Sequence, residues 1–454
     1  MWCAPARRWT PTPSESRPLV TTYDDALASL QAAGRLPSVS AAVARGGAPV
    51  WQGCVSVLPD AAVTDASAYR IGSITKTLTA VLVLQLRDEG RLRLDDPIGR
   101  VVPETGYAAA TVRELLAHTA GLQSEPAGPW WERVDGGTFD ELTTGNDGTG
   151  RVAAAGEFYH YSNLGFALLG EAVARLSGAS WWEVVQERLL GPLGMGATSY
   201  HPPVDHAPGR SVDHFAHTLS AEPHSDTGAM APAGQLWSTV GDLLRWADFL
   251  ATGHPDVLSA ATLAEMAEPV PPAPAYGLGL RLLRVGDRAL VGHTGSMPGF
   301  QASLFVDRGT RDAVVALADA TTGLGPDRVP GRLLAAPDDP PAAAPAPWRP
   351  SPRPVPAAVA EVLGVWFWGN TAFGFEWVGG VLQAHDLRTG GLEERFLPEG
   401  DGFLGIEGYH RGERLHLRRR ADGSVGHLEC ATFVWTRTPY DPRAPIPGGP
   451  ADPA

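Results

Sequence analysis

Lysine is all but missing from this chain: Lys76 stands alone against 35 arginines. Arginine keeps its proton at any working pH, whereas a partly desolvated lysine can lose it, so the capacity for amine base chemistry is confined to one position. Cysteine is scarce as well. Cys3, Cys54 and Cys430 are odd in number and far apart, which excludes a disulfide framework and suits free thiols in a reducing compartment. Nothing near them has metal-ligand spacing, and no metal or other cofactor is expected. No stretch reaches the roughly 18 consecutive apolar residues of a membrane span. Residues 1 to 18 carry Arg7-Arg8 but lack the apolar core of about 7 to 15 residues that a secretory or twin-arginine signal requires. They read as part of a disordered tail, 1–20, on a cytoplasmic protein. Positive charge is also in deficit. A net charge of -14 and a pI near 5.4 argue against nucleic acid or an anionic membrane as partner, and Arg418-Arg419-Arg420 reads as the solvated face of a strand.

What is present is enough for two domains. At 454 residues the chain exceeds one typical domain. Tyr23 to Ala33 is a short amphipathic helix, and Ser38 to Ala44 and Pro49 to Val57 are strands joined at Arg45-Gly46-Gly47-Ala48. Helices follow: an apolar run after Lys76 that ends at a charged turn and Gly90, a capping box at Thr111 to Glu114, Leu164 to Leu176 with Gly178 behind it, and a second box at Ser180 to Glu183. Tyr200 to Ala233 lacks a period and reads as a long loop over a site. Strands return at Leu278 to Arg284, Ala289 to His293, Gln301 to Val306 and Ala313 to Ala318. An α/β (α+β) domain over 21–335 is expected, with an antiparallel sheet built from N- and C-terminal strands and an inserted helical subdomain.

From Ala336 to Pro356 nine of 21 residues are proline, the mark of a stiff linker. Beyond it, 357–440 turns to β. Strands are expected at Gly364 to Trp368, Phe373 to Val378, Val381 to Asp386, Phe403 to Ile406, Arg414 to Arg420 and Val425 to Trp435, with turns at Gly379-Gly380 and Asp422-Gly423. Trp366, Trp368, Trp377 and Trp435 are expected in the core of this small all-β module. A second disordered tail is expected over 441–454.

The chemistry centres on Ser73-Ile74-Thr75-Lys76. Three residues apart on a helix, Ser73 and Lys76 share a face. A serine hydroxyl needs a base to become a nucleophile, and a lysine against an apolar helix face is pushed toward its neutral, basic form. The helix N-terminus favours developing negative charge beside Ser73. Tyr161 is the candidate second proton handler. Asn163 has two readings, as a substrate ligand or as a helix cap. His118 is read as structural, its ring satisfying a carbonyl. Asp205, His206, Asp213, His214, His217 and His224 lie in an irregular segment without the spacing of a rigid metal site.

Tyr69 to Lys76 resembles the SxxK block of the serine β-lactamase and penicillin-binding-protein superfamily, in the branch of class C β-lactamases, D-peptidases and family VIII esterases. Leu94 to Ile98, Leu115 to Leu122, Tyr161-Ser162-Asn163, Gly191 to Met195, Gly234 to Asp242 and His293-Thr294-Gly295 match further blocks of that branch in order, over roughly residues 23 to 325. The resemblance implies that Ser73 forms an acyl-enzyme, that Lys76 and Tyr161 share acid and base work, and that Asn163 binds a substrate amide or carbonyl. It implies that His293, Thr294 and Gly295 lie on the strand edge beside the cleft, and that the backbone N–H groups of Ser73 and Ser296 form the oxyanion hole. His293 stands where most β-lactamases have lysine and is expected to supply a pH-dependent charge near neutrality. The implied activity is a serine hydrolase acting on a small-molecule ester, amide or β-lactam-like substrate. The alternatives are a carboxylesterase without peptidase or lactamase activity and a non-catalytic sensor or scaffold. Nothing in the sequence fixes an oligomeric state.

Overall fold

The computed structural model describes residues 19–58, 61–337 and 344–439. Cys3, Arg7-Arg8, most of the expected N-terminal tail and the whole C-terminal tail lie outside them. Two compact units divide the chain: one runs to Ser211 and resumes over Ala221–Trp348, the other takes Val212–Ser220 and the chain from Arg349 on.

The first unit is built on a six-stranded antiparallel sheet. In spatial order its strands are Ala48–Ser56, Ser38–Arg45, Ala313–Ala318, Phe300–Asp307, Arg288–Met297 and Arg281–Val285. N- and C-terminal strands thus meet in one sheet, as expected. Ser38–Arg45 and Ala313–Ala318 lie side by side and are almost wholly buried, which explains their runs of Val, Ala and Leu. The last strand is short. Arg281 pairs with Gly292 at the end of its ladder, so, among the described residues, 293–297 of the neighbouring strand have no strand partner on that side. That open edge receives the turn carrying Ser73.

The helix Thr75–Asp88 is buried on every side from Thr75 to Leu86. Its three interior threonines would be costly without partners, because an unpaired buried hydroxyl loses its water for nothing. Each has one or more. Thr77 Oγ1 donates to the Ile74 carbonyl and accepts from Trp246 Nε1, both at 2.8 Å. Thr79 Oγ1 donates to the Pro232 carbonyl at 2.9 Å and accepts from Trp181 Nε1 at 3.2 Å, while Thr75 Oγ1 accepts from the Leu236 N–H at 3.3 Å. The helix is therefore keyed to three other segments by polar contacts as well as apolar ones. Both expected capping boxes form, at Thr111 and Ser180. Among the described residues no helix is long and apolar enough to cross a membrane.

Tyr200 to Ala233 has more order than its sequence suggests. It holds a two-stranded pairing, Arg210–Asp213 with Thr218–Ala221, a 3-10 turn at Gly228–Met230 and a short helix at Ala231–Gly234. Elements of four residues or fewer leave no periodicity to read.

The second unit contains a closed eight-stranded antiparallel barrel from Gly364 to Thr436. Two strands differ from expectation. Leu392–Glu399 is a strand despite two adjacent glutamates and a proline, because only Glu394 and Phe396 are buried there. Val425 to Trp435 is two strands, Val425–Cys430 and Phe433–Thr436, reversing at Ala431 with φ of 51°. Trp366, Trp377 and Trp435 lie in the core, whereas Trp368 is 47% exposed and stacks on Phe433 with ring centres 5.2 Å apart. Arg418 and Arg419 are neutralised by Glu429 and Glu361.

Candidate active site

Ser73 is the central residue of a 3-10 turn, Gly72–Ile74, that feeds directly into the helix Thr75–Asp88. The turn lies against the open strand edge so closely that side chains are excluded from both surfaces. A Cβ on Gly295 would stand 1.9 Å from the Ile71 carbonyl oxygen, and one on Gly72, at φ of +52°, would stand 2.7 Å from Ser296 N. Only glycine fits either place. The backbone around Ser73 and that of Ser296 are thereby held next to each other. Ser73 itself is half-buried and Ser296 exposed, which leaves a path to the hydroxyl.

Lys76 is fully buried. Its Nζ lies 2.9 Å from Ser73 Oγ and donates to the Ala233 carbonyl at 2.7 Å. The aromatic faces of Tyr161 and Phe166 cover it, with ring centres 5.0 and 5.7 Å from the nitrogen. Burial lowers its pKa from 10.5 to about 7, against the opposing pull of Glu125 and Glu132. As an amine it accepts the Ser73 proton, and as an ammonium it donates to Oγ.

Tyr161 has a buried hydroxyl that makes no hydrogen bond of good geometry among the described residues. Burial pushes the phenol up, and the adjacent Ser73 hydroxyl offsets only part of this. The group is a protonated phenol at working pH, a donor and relay rather than a standing base. Behind it lies His118, its ring 4.2 Å from that of Tyr161 and 4.8 Å from that of Tyr276. His118 Nδ1 accepts the Ser162 backbone N–H at 3.1 Å. The ring thus accepts an N–H, where a bond to a carbonyl was expected. Burial holds its pKa well below the ordinary 6.5, so the lone pair that fixes the Tyr161 loop persists.

Asn163 opens the helix Asn163–Ser177, but the cap is Ser162, whose Oγ accepts from the Gly165 N–H at 3.1 Å. The Asn163 amide nitrogen instead donates to both carboxylate oxygens of Glu125, at 2.8 and 2.9 Å. Trp131 Nε1 donates to the same carboxylate at 2.6 Å. Glu125 is thus joined to Asn163 and Trp131, although it sits in an aperiodic loop that no motif singles out. Glu132 is a second carboxylate acting on Lys76, and burial raises its own pKa.

His293 corrects an expectation. It is 2% exposed, and burial with the nearby Lys76 lowers its pKa to about 3. Its Nδ1 donates to the Thr294 carbonyl at 2.5 Å, and its Nε2 accepts from the Tyr276 hydroxyl at 2.9 Å. The ring is neutral across the working range, so it supplies no pH-dependent charge near neutrality. The fixed cation at this strand is Arg281, whose Nη1 donates to Thr294 Oγ1 at 2.6 Å and pairs with Asp327 at 2.8 Å. Neither Tyr276 nor Arg281 belongs to a motif that would single it out.

Among the described residues, side chains of the histidine-rich segment go to separate partners. Ser67 Oγ donates to Asp205, His206 Nδ1 and His224 Nε2 engage the Pro203 and Pro208 carbonyls, and His217 engages Glu376.

The family model described as Beta-lactamase matches residues 23–339, and a family described only as a domain of unknown function matches residues 355–437. Beta-lactamase-like protein 2 of Dictyostelium discoideum is 31% identical over 45% of this chain and 39% of its own length. The D-alanyl-D-alanine-carboxypeptidase/endopeptidase AmpH of Escherichia coli K12 is 33% identical over 40% of this chain and 48% of its own. The chain therefore spans less than half the length of either curated relative. The solved structure of a D-stereospecific amidohydrolase from a Streptomyces species is 28% identical, with a TM-score of 0.59 over 70% of this chain and 99% of that one.

Proposed function

The chain belongs to the Beta-lactamase family, and from that premise we propose that it is a serine hydrolase working through an acyl-enzyme on a small amide or ester. The observation that carries the proposal is the Lys76 Nζ placed 2.9 Å from Ser73 Oγ with its pKa lowered to about 7. Lys76 takes the proton as Ser73 Oγ attacks the carbonyl carbon. The developing oxyanion faces the backbone N–H groups of Ser73 and Ser296. The Lys76 ammonium then returns the proton through the Tyr161 hydroxyl to the departing nitrogen or oxygen, and the acyl group stays on Ser73. Water attacks the ester with Lys76 again as base, and the acid leaves.

The surroundings favour a substrate bearing a free amine. Glu125 is exposed at the residue level and held by Asn163 and Trp131, so its carboxylate suits an ammonium group. Asn163 keeps its carbonyl oxygen for a substrate N–H. At the strand edge His293 is neutral and Arg281 is already paired with Asp327, which favours an amide or ester over a substrate that must present a carboxylate. A D-amino acid amide fits this pattern and accords with the D-stereospecific amidohydrolase similarity. The neutral His293 also supports the second reading, a carboxylesterase. A panel of p-nitrophenyl butyrate, a D-phenylalanine anilide and a chromogenic cephalosporin separates them. The proposal expects the anilide to be turned over by the wild type and not by Ser73→Ala. Turnover of the butyrate alone favours the esterase, and turnover of none refutes both.

A further inference from the structure

The barrel holds a cluster of donor groups that plays no part in the hydrolase site. The turn between the strands Gly402–Glu407 and Arg414–Arg419 carries His410 and Glu413, and Cys430 ends the strand Val425–Cys430. One donor atom from each of the three lies within 4.8 Å of the others. His410 and Cys430 are buried, at 2% and 0% exposure, and Glu413 is exposed at the rim.

His410 is oriented as a ligand would be. Its Nδ1 lies 2.9 Å from Glu394 Oε1, and its backbone N–H donates to the other oxygen at 3.3 Å. A carboxylate can only accept, so Nδ1 carries the ring proton and Nε2 presents a lone pair. Nε2 is buried and has no hydrogen-bond partner among the described residues. Phe433 and Trp435 pack on the ring, with centres 4.7 and 5.4 Å away, so it cannot swing to find one. A carboxylate that fixes the imidazole through its second nitrogen is the usual support of a metal-bound histidine.

We propose that His410, Cys430 and Glu413 bind a zinc ion, with water as fourth ligand. An imidazole, a thiolate and a carboxylate together suit zinc, whereas magnesium and calcium take oxygen ligands. Tetrahedral ligands on zinc stand about 3.5 Å apart, given bonds of about 2.0 to 2.3 Å. Closing the set from separations of at most 4.8 Å requires movements of about 1 Å. Binding replaces the thiol proton: Cys430–SH and Zn²⁺ give the zinc thiolate and one H⁺. The ion ties the 408–413 turn to the strand Val425–Cys430. It thereby reinforces the barrel where strand pairing is sparse, since Phe403–Leu415 and Leu404–Arg414 are the register pairs between the two strands flanking that turn.

The test uses the full chain, stripped with a chelator, dialysed and titrated with Zn²⁺ by calorimetry and with Co²⁺ by absorption. The expected result is one equivalent of zinc, a raised melting temperature, and a thiolate-to-cobalt charge-transfer band. The band is absent in Cys430→Ser, and zinc affinity falls at least tenfold in Glu413→Gln and in His410→Gln. Cys54→Ser, outside the cluster, retains the band. Far-UV dichroism shows whether each variant folds, and Glu413→Gln changes an exposed residue that folding does not need. No zinc bound at 100 micromolar free metal overturns the proposal, as does a charge-transfer band that persists in folded Cys430→Ser. Glu413→Gln that binds as tightly as the wild type overturns the three-ligand set. A buried water between His410 Nε2 and Trp435 Nε1, itself without a partner, is then the better account.

Discussion

Replacing Lys76 with methionine should make the protein inactive and, at the same time, change how its stability depends on pH. The folded amine titrates near 7 instead of 10.5. As pH falls below about 10.5 the unfolded chain takes up this proton while the folded chain does not. The wild type therefore loses stability from the unfolded value down to about 7, and the loss levels off below that. At about 1.4 kcal/mol for each pH unit between the two titrations, the whole effect is on the order of 5 kcal/mol. About 2.5 kcal/mol of it falls between about pH 9 and about pH 6. Lys76→Met also strips the Ala233 carbonyl of its donor, a cost of about 1–3 kcal/mol, but that cost is the same at both pH values. Other titrating groups are common to the two proteins and largely cancel in the difference. Urea unfolding of both proteins at both pH values is the assay. The wild type should lose about 2–3 kcal/mol relative to the variant on going from the higher to the lower pH. Parallel stabilities would refute the claim that burial makes Lys76 a base, and so would a variant that loses ground as pH falls.

Three further outcomes follow from the geometry. With the neutral ester p-nitrophenyl butyrate, kcat/KM should rise with pH through about 7 as Lys76 becomes an amine, with no separate limb from His293 above about pH 5, since that ring titrates near 3. Gly295→Ala should lower stability by about 2–4 kcal/mol and abolish acylation, because the new methyl group meets the Ile71 carbonyl at 1.9 Å; urea melts and labelling of Ser73 read both. Glu125→Gln should raise KM about tenfold for an amine-bearing amide, the value of one charge-assisted hydrogen bond, while leaving KM for the neutral ester unchanged. It should also move the rising limb to lower pH, because the Glu125 charge holds the Lys76 pKa up.

Where sequence and structure agree, the signal was local. The solitary lysine, the apolar run after it, the capping boxes at Thr111 and Ser180, and the strands on either side of Gly286-Asp287 each declare themselves within a few residues. The ordered blocks point to Ser73, Lys76, Tyr161 and Asn163; the structure brings Ser73, Lys76 and Tyr161 together, while Asn163 holds Glu125, whose charge acts on Lys76. What escaped was set by tertiary contacts. Glu125 and Tyr276 act on the site through partners distant in sequence, Asn163 and His293. The ionisation of His293 depends on burial that no strand pattern reveals. The strand Leu392–Glu399 hid behind its charged outer face, since a barrel strand shows only alternate residues to the core. The grouping of His410, Glu413 and Cys430 arises only because two strands pair, which is why spacing along the chain gave no hint of it.

The account stands or falls on covalent chemistry at Ser73. Incubation with a fluorophosphonate or fluorescent penicillin, followed by intact-mass analysis and peptide mapping, tests it most directly. One adduct per chain on Ser73 is expected, absent in Ser73→Ala and slowed by about a thousandfold or more in Lys76→Met. An unlabelled Ser73, or hydrolysis that survives Ser73→Ala, would contradict it.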